Sequence, residues 1–178
     1  HELVGRLQAE QEMRAVNQEL MRSRTAMENL LEDLQVEVRA RKANEDRLRE
    51  SEAMLAATGH MARVGGWRID LETQTLEWTD ELYLIHEVGS AFEPTVENGL
   101  AFYDPESRPI ITAAVERAVQ HGEPFELELR IVTARGNVRW VHAVGEARRD
   151  GGHVLEVAGT FQDITDRKRA EEEKEQLQ

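Results

Sequence analysis

The sequence contains no cysteine in its 178 residues, which excludes disulfides, thiolate metal sites, a cysteine nucleophile and covalent flavin–cysteine chemistry. Positive charge is also short. With 35 Asp and Glu against 22 Lys and Arg the formal net charge is −13, whereas nucleic acid and anionic membranes are captured by clustered Lys and Arg. No apolar run approaches the roughly 18 residues of a membrane span, and the N-terminus has neither the basic region nor the apolar stretch of a signal peptide. The expected location is therefore cytoplasmic, with no nucleic-acid partner and no membrane contact. Aromatics are few, three Trp, two Tyr and four Phe. All lie between Trp67 and Phe161, which confines the expected globular core to that region. The chain opens at His1 inside a helical pattern without an initiator Met, so it reads as a piece of a longer protein, with His1 a tag remnant.

Glycine and proline, the strongest helix interrupters, are missing from all 53 residues between Gly5 and Gly59. As one helix this stretch would extend about 80 Å. Met13, Leu20, Met27, Leu34, Leu48 and Leu55 fall on one seven-residue register, broken by Arg41. A looser second row runs through Ala9, Val16 and Leu30, then Leu31 and Val38. Such a repeat is the pattern of a left-handed coiled coil, whose seam needs a partner helix. A homodimer is expected. Ser23, Arg41 and Asn44 interrupt the seam; they either set register or mark where packing changes.

From Gly59 the pattern shifts, giving expected boundaries of 1–58 for the coiled-coil helix, 59–164 for the globular domain and 165–178 for a C-terminal helix. Gly65-Gly66 is expected to break the first helix. Trp67–Leu71 and Leu76–Thr79 then read as short strands, and Asp80 as the N-cap of a helix to about Val88. Gly89–Asp104 reads as irregular or short helix. Pro105 or Pro109 opens a clearer helix ending before Gly122. Three strands follow from Phe125, Val138 and Val154, joined by turns at Arg135-Gly136-Asn137 and Asp150-Gly151-Gly152. Both faces of the strand around Trp140 are apolar enough to need cover, and Met54–Met61 is the candidate for the outer one.

Several fragments occur in order: Gly66-Trp67-Arg68-Ile69-Asp70-Leu71, Leu76-Glu77-Trp78-Thr79-Asp80-Glu81-Leu82, Gly136-Asn137-Val138-Arg139-Trp140-Val141 and Gly159-Thr160-Phe161-Gln162-Asp163-Ile164-Thr165. Together with Asp166-Arg167-Lys168-Arg169-Ala170-Glu171 they resemble a PAS domain of bacterial sensory proteins, with a PAC region, over roughly residues 52 to 172. The resemblance implies an α+β fold: a five-stranded antiparallel sheet in the order 2-1-5-4-3, with short helices on one face enclosing a small cavity. It implies a dimeric sensor or relay upstream of a histidine kinase or cyclic-dinucleotide enzyme, linked to a C-terminal effector. Signal transfer would pass through Asp163, Ile164 and Thr165. Many relatives carry His-Pro-Asp-Asp where this chain has Tyr103-Asp104-Pro105-Glu106.

No phosphate loop, nucleophile elbow or metal-binding motif is present in the sequence, so this stretch is not expected to be an enzyme. No cofactor is expected. The resemblance disfavours haem, because the helix after Glu106 contains no His before His121, and excludes a LOV-type flavin adduct for want of Cys. An unidentified small ligand remains open, with Trp78, Tyr83, His86, Ile111, Val115, Leu129, Val157 and Phe161 as pocket candidates. A packed core would produce the same periodicity, and a ligand-free dimerisation spacer is the alternative function.

Overall fold

A computed structural model describes residues 2–177. The chain divides into two units, His1–Met54 and Leu55–Gln178. The first unit is helical from Glu2 onward, within α1 (Glu2–Ala62), and no residue of α1 is buried. Its apolar register lies open in the single chain: Met13, Leu20, Met27, Leu34 and Leu48 are 65, 63, 57, 47 and 59% exposed. Arg41, the polar break in the seam, bonds Glu45 at 3.2 Å along the same helix, and Arg24 bonds Glu28 at 2.8 Å. Such pairs each stabilise a helix by a few tenths of a kcal/mol.

The second unit contains β1 (Val64–Asp70), β2 (Thr75–Trp78), α2 (Asp80–His86), α3 (Val96–Ala101), α4 (Arg108–His121), β3 (Phe125–Val132), β4 (Val138–Asp150), β5 (His153–Asp163) and α5 (Thr165–Gln176). The strands form one sheet in the order β2-β1-β5-β4-β3, antiparallel at every junction. Its inner face packs against α2 and α4 through Leu82, Ile85, Ile111, Ile131, Val141 and Phe161, all buried. This matches the fold and strand order that the sequence implies.

Several local expectations are corrected. Gly65-Gly66 does not break the helix; α1 runs past Gly59 to Ala62 and stops at Arg63, which takes φ 51°. Both glycines lie in β1, where a Cβ at Gly65 would approach Leu82 Cδ1 to 2.2 Å. Gly65 thus serves the close approach of α2 to the sheet. Asp80 is the first helical residue of α2, and the N-cap is Thr79, without a side-chain cap bond. The Thr79 hydroxyl is engaged elsewhere, accepting from Gly66 N at 2.9 Å. In α4 the N-cap is Ser107, with proline in the first turn, and Gly122 closes the helix at φ 67°.

The outer sheet face is not covered by the end of α1, where Leu55 and Met61 are 71 and 85% exposed. Trp140 is covered instead by two cations. The Lys168 amine and the Arg130 guanidinium lie 5.3 and 5.6 Å from its ring centroid. Lys168 also binds Glu128 at 2.6 Å, and Arg167 pairs with the same carboxylate. These hydrogen bonds, Lys168 first, hold the Glu128 carboxyl below its usual range. The start of α5 is thereby fastened to β3. No helix among the described residues is long and apolar enough to cross a membrane.

Candidate functional site

The inner face of the sheet and α2, α3 and α4 line a cavity of about 70 Å³. Alternation along β1 and β2 brings Trp67, Ile69, Leu76 and Trp78 to it, α2 contributes Leu82 and His86, and α4 contributes Ile111 and Val115. Ala143 and Phe161 form its floor from the central strands. Of the residues singled out from sequence, Trp78, His86, Ile111, Val115 and Phe161 border the cavity. Tyr83, Leu129 and Val157 do not. Tyr83 meets the edge of Trp78 at 5.7 Å, Leu129 pairs with Val141 in the core, and Val157 is buried opposite Ile69 and Ala147. Alternation assigns a residue to a face but not to a position along it.

His86 is the unusual member, a titratable side chain only 2% exposed. Its ring lies between Trp78, at 4.4 Å and 19°, and Phe161, at 5.0 Å and 21°. The edge of Phe102 lies 4.8 Å away. Burial lowers its pKa from 6.5 to about 4, assisted by Arg139 and opposed by the Leu82 carbonyl. The imidazole is therefore neutral at physiological pH. Tyr103, also bordering the cavity and 6% exposed, carries no periodic signal. It enters the core by an isolated bridge to Ile131 after α3. Burial raises its phenol pKa.

Arg139 connects this wall to the end of the sheet. It donates to the Ile85 carbonyl at 2.9 Å, near the end of α2, and to Glu87 Oε1 at 2.8 Å. The nitrogen that donates to Ile85, Nη1, also lies 3.6 Å from Asp163 Oδ2. Glu87, in the left-handed conformation at φ 57°, also accepts from Asn137 Nδ2 at 2.8 Å. That bond and Arg139 hold its carboxyl below the usual range. Arg139→Ala should remove one of the donors to Glu87 and the side-chain donor to the Ile85 carbonyl and destabilise the domain by about 1–3 kcal/mol in urea unfolding. Arg139→Lys should recover only part of the loss, because an ammonium lacks the guanidinium fork. Full recovery would show that charge alone suffices.

The exit from β5 is a closed hydrogen-bond set. The Thr165 hydroxyl donates to Asp163 Oδ1 at 2.5 Å and accepts from Trp140 N at 3.1 Å. Thr165 N donates to the same Asp163 oxygen at 3.0 Å, and Ile164 N donates to the Trp140 carbonyl at 2.9 Å. Ile164 is the N-cap of α5 and makes no side-chain cap bond. The end of α1 joins the same place. Asp163 N donates to the Arg63 carbonyl at 3.0 Å, Gln162 Nε2 to the Ala62 carbonyl at 3.3 Å, and Arg63 pairs with Asp166 at 3.0 Å. Sequence reasoning placed Asp163, Ile164 and Thr165 at the exit; the contribution of Ala62 and Arg63 had no local signal. Among the described residues no group of three His, Asp or Glu side chains is placed to hold a metal ion.

Residues 76–161 match the family model of the PAS fold. The chain is 27% identical over 109 residues to the sensor protein FixL of Bradyrhizobium diazoefficiens, covering 61% of this chain and 22% of that protein. It thus spans under a quarter of that relative's length. Among solved structures, a sensory box histidine kinase/response regulator from Burkholderia thailandensis aligns with TM-score 0.53 and 25% identity, over 70% of this chain and 95% of that one. The N-terminal domain of a diguanylate cyclase with PAS/PAC sensor from Marinobacter aquaeolei aligns with TM-score 0.54 and 20% identity, over 58% of this chain and 97% of that one.

Proposed function

We propose that this chain, whose residues 76–161 match the family model of the PAS fold, is a dimeric, cytoplasmic sensor and relay module of a bacterial signalling protein of the histidine kinase or cyclic-dinucleotide type. Its partners are a second copy, through the coiled coil and the PAS domain, and a C-terminal effector. The observation that carries the reading is the junction where the end of α1, the end of β5 and the start of α5 share hydrogen bonds through Ala62, Arg63, Gln162, Asp163 and Thr165. Movement of the entering helix or of the sheet reaches the leaving helix through those bonds. Asp163, Ile164 and Thr165 are the transfer residues. The open seam from Met13 to Leu48 supports the dimer, since a row of residues about half exposed gains by burial against a partner helix.

The cavity holds neither haem nor flavin in this reading: about 70 Å³ is far below the roughly 300 Å³ at which small-molecule pockets begin. The same small volume favours the second reading, a spacer that transmits helix geometry without any ligand. Sedimentation at tens of micromolar tests the dimer, with twice the chain mass expected and Leu34→Asp expected to give the monomer. A monomeric parent would remove the dimer from the proposal. Fused to a kinase whose output is measurable, Thr165→Val should change output while leaving the PAS domain folded. Unchanged output in that variant and in Asp163→Asn would refute the transfer role.

A further inference from the structure

The wall of the 70 Å³ cavity is apolar apart from a few nitrogen and oxygen atoms, two of them on its most buried polar residues. His86 directs Nδ1 at the Leu82 carbonyl, 2.8 Å away. A carbonyl only accepts, so the proton of the neutral ring resides on Nδ1 and Nε2 is a bare acceptor. The Tyr103 hydroxyl makes no hydrogen bond to any described residue. Yet no side-chain nitrogen or oxygen among the described residues is sealed from open space without a partner. His86 and Tyr103 are 2 and 6% exposed, and the open space both residues border is the cavity. Two residues, one with an unbonded donor and one with an unbonded acceptor and each more than nine-tenths buried, thus border one small apolar volume. Leaving both unbonded is costly.

We propose that the cavity is a binding site for a small neutral hydroxyl compound of the short-chain alcohol class. Its oxygen accepts from the Tyr103 hydroxyl, and its hydroxyl donates to His86 Nε2. This rests on the sensor reading and names the ligand class for that site. The volume is several times the roughly 10–15 Å³ that one water needs, and about half of a cavity that takes benzene, which suits about three to four non-hydrogen atoms. Among the described residues no Lys, Arg, Asp or Glu borders the cavity, so a charged ligand would be buried without a counterion. Stacking between Trp78 and Phe161 holds the imidazole, which orients the acceptor before binding. The ring adjoins Ile85 and Glu87, both held by Arg139, which lies 3.6 Å from Asp163. Occupancy thereby reaches the exit junction.

The test is a titration of the whole chain with 2-propanol, followed by NMR of methyl groups. Saturable shifts are expected at Ile69, Leu82 and Ile111. Acetone, which accepts but does not donate, should bind more weakly, and acetate at neutral pH should not bind. Tyr103→Phe removes one oxygen and keeps the ring, and should weaken 2-propanol by about tenfold or more. Equal binding to Tyr103→Phe overturns the proposal. So does entry of xenon without entry of 2-propanol, which would mark a dry cavity, or exclusion of both by bound water. Each of these outcomes concerns the cavity alone; the relay reading fails separately, on the output of the junction variants.

Discussion

Gly159→Ala is expected to destabilise the domain by at least about 3 kcal/mol, a large part of the roughly 5–15 kcal/mol that holds such a domain together. A Cβ at this position would lie 1.7 Å from the Val144 carbonyl oxygen, 2.6 Å from its carbon and 3.0 Å from Gly145 Cα. All three atoms are backbone, so no rotamer change relieves the contact. Gly159 is on β5, the middle strand, paired with Gly145 of β4 and Trp67 of β1. Separating β4 from β5 would disturb both halves of the sheet. Gly66→Ala is the control, since its Cβ would meet Thr79 Cγ2 at 3.6 Å and the Gly159 carbonyl at 3.7 Å, ordinary contact distances. Thermal unfolding should show a drop of more than about 10 °C for Gly159→Ala and little change for Gly66→Ala. Equal midpoints for the two would contradict the packing argument.

Acidification from pH 7 to 5 is expected to cost about 2 kcal/mol through His86 alone. Its pKa is lowered from 6.5 to about 4 in the fold, chiefly by burial. Between those values the unfolded chain binds a proton that the folded one refuses, so stability rises with pH across that window. The contribution is complete above about pH 6.5 and lost as pH falls toward 4, with a full span of about 3 kcal/mol. Glu87 and Glu128, whose pKa values are lowered from 4.5, lose their contributions at lower pH. The slope between pH 7 and 5 therefore belongs mainly to the histidine. Urea unfolding at several pH values reads it directly. His86→Phe, which keeps an aromatic ring between Trp78 and Phe161, should flatten that part of the profile. A flat profile in the parent would show that the imidazole is not buried neutral.

Neither effect is legible in the residue order. Glycine at 65, 66 and 159 reads equally well as a break, a turn or a close approach. The partners that decide, Leu82 for Gly65 and Val144 for Gly159, are distant in the chain. Asp80 has the right chemistry for an N-cap, but the position belongs to Thr79, whose hydroxyl is drawn to Gly66 N on β1. Leu129 and Val157 share the inner face with Phe161, but only Phe161 borders the cavity. Met54–Met61 had the apolarity to cover the outer face, and cations from β3 and α5 cover Trp140 instead.

By itself the sequence determined the features that arise within a few residues: the uninterrupted helix with its seven-residue register, the alternating strands from Phe125 onward, the hairpin turns and the glycine after α4. Periodicity and backbone sterics act locally, so they can be read in order along the chain. The ordered fragments then implied the sheet order and the exit triplet of Asp163, Ile164 and Thr165. Only the tertiary structure decided how much space is left inside the core and which atoms share it. It joined Arg139 to both the α2 wall and Asp163, and it brought Ala62 and Arg63 to the end of β5. The neutral state of His86 is also a tertiary fact, because it depends on removal of water by Trp78, Phe102 and Phe161, three residues that meet only when the sheet has closed over α2.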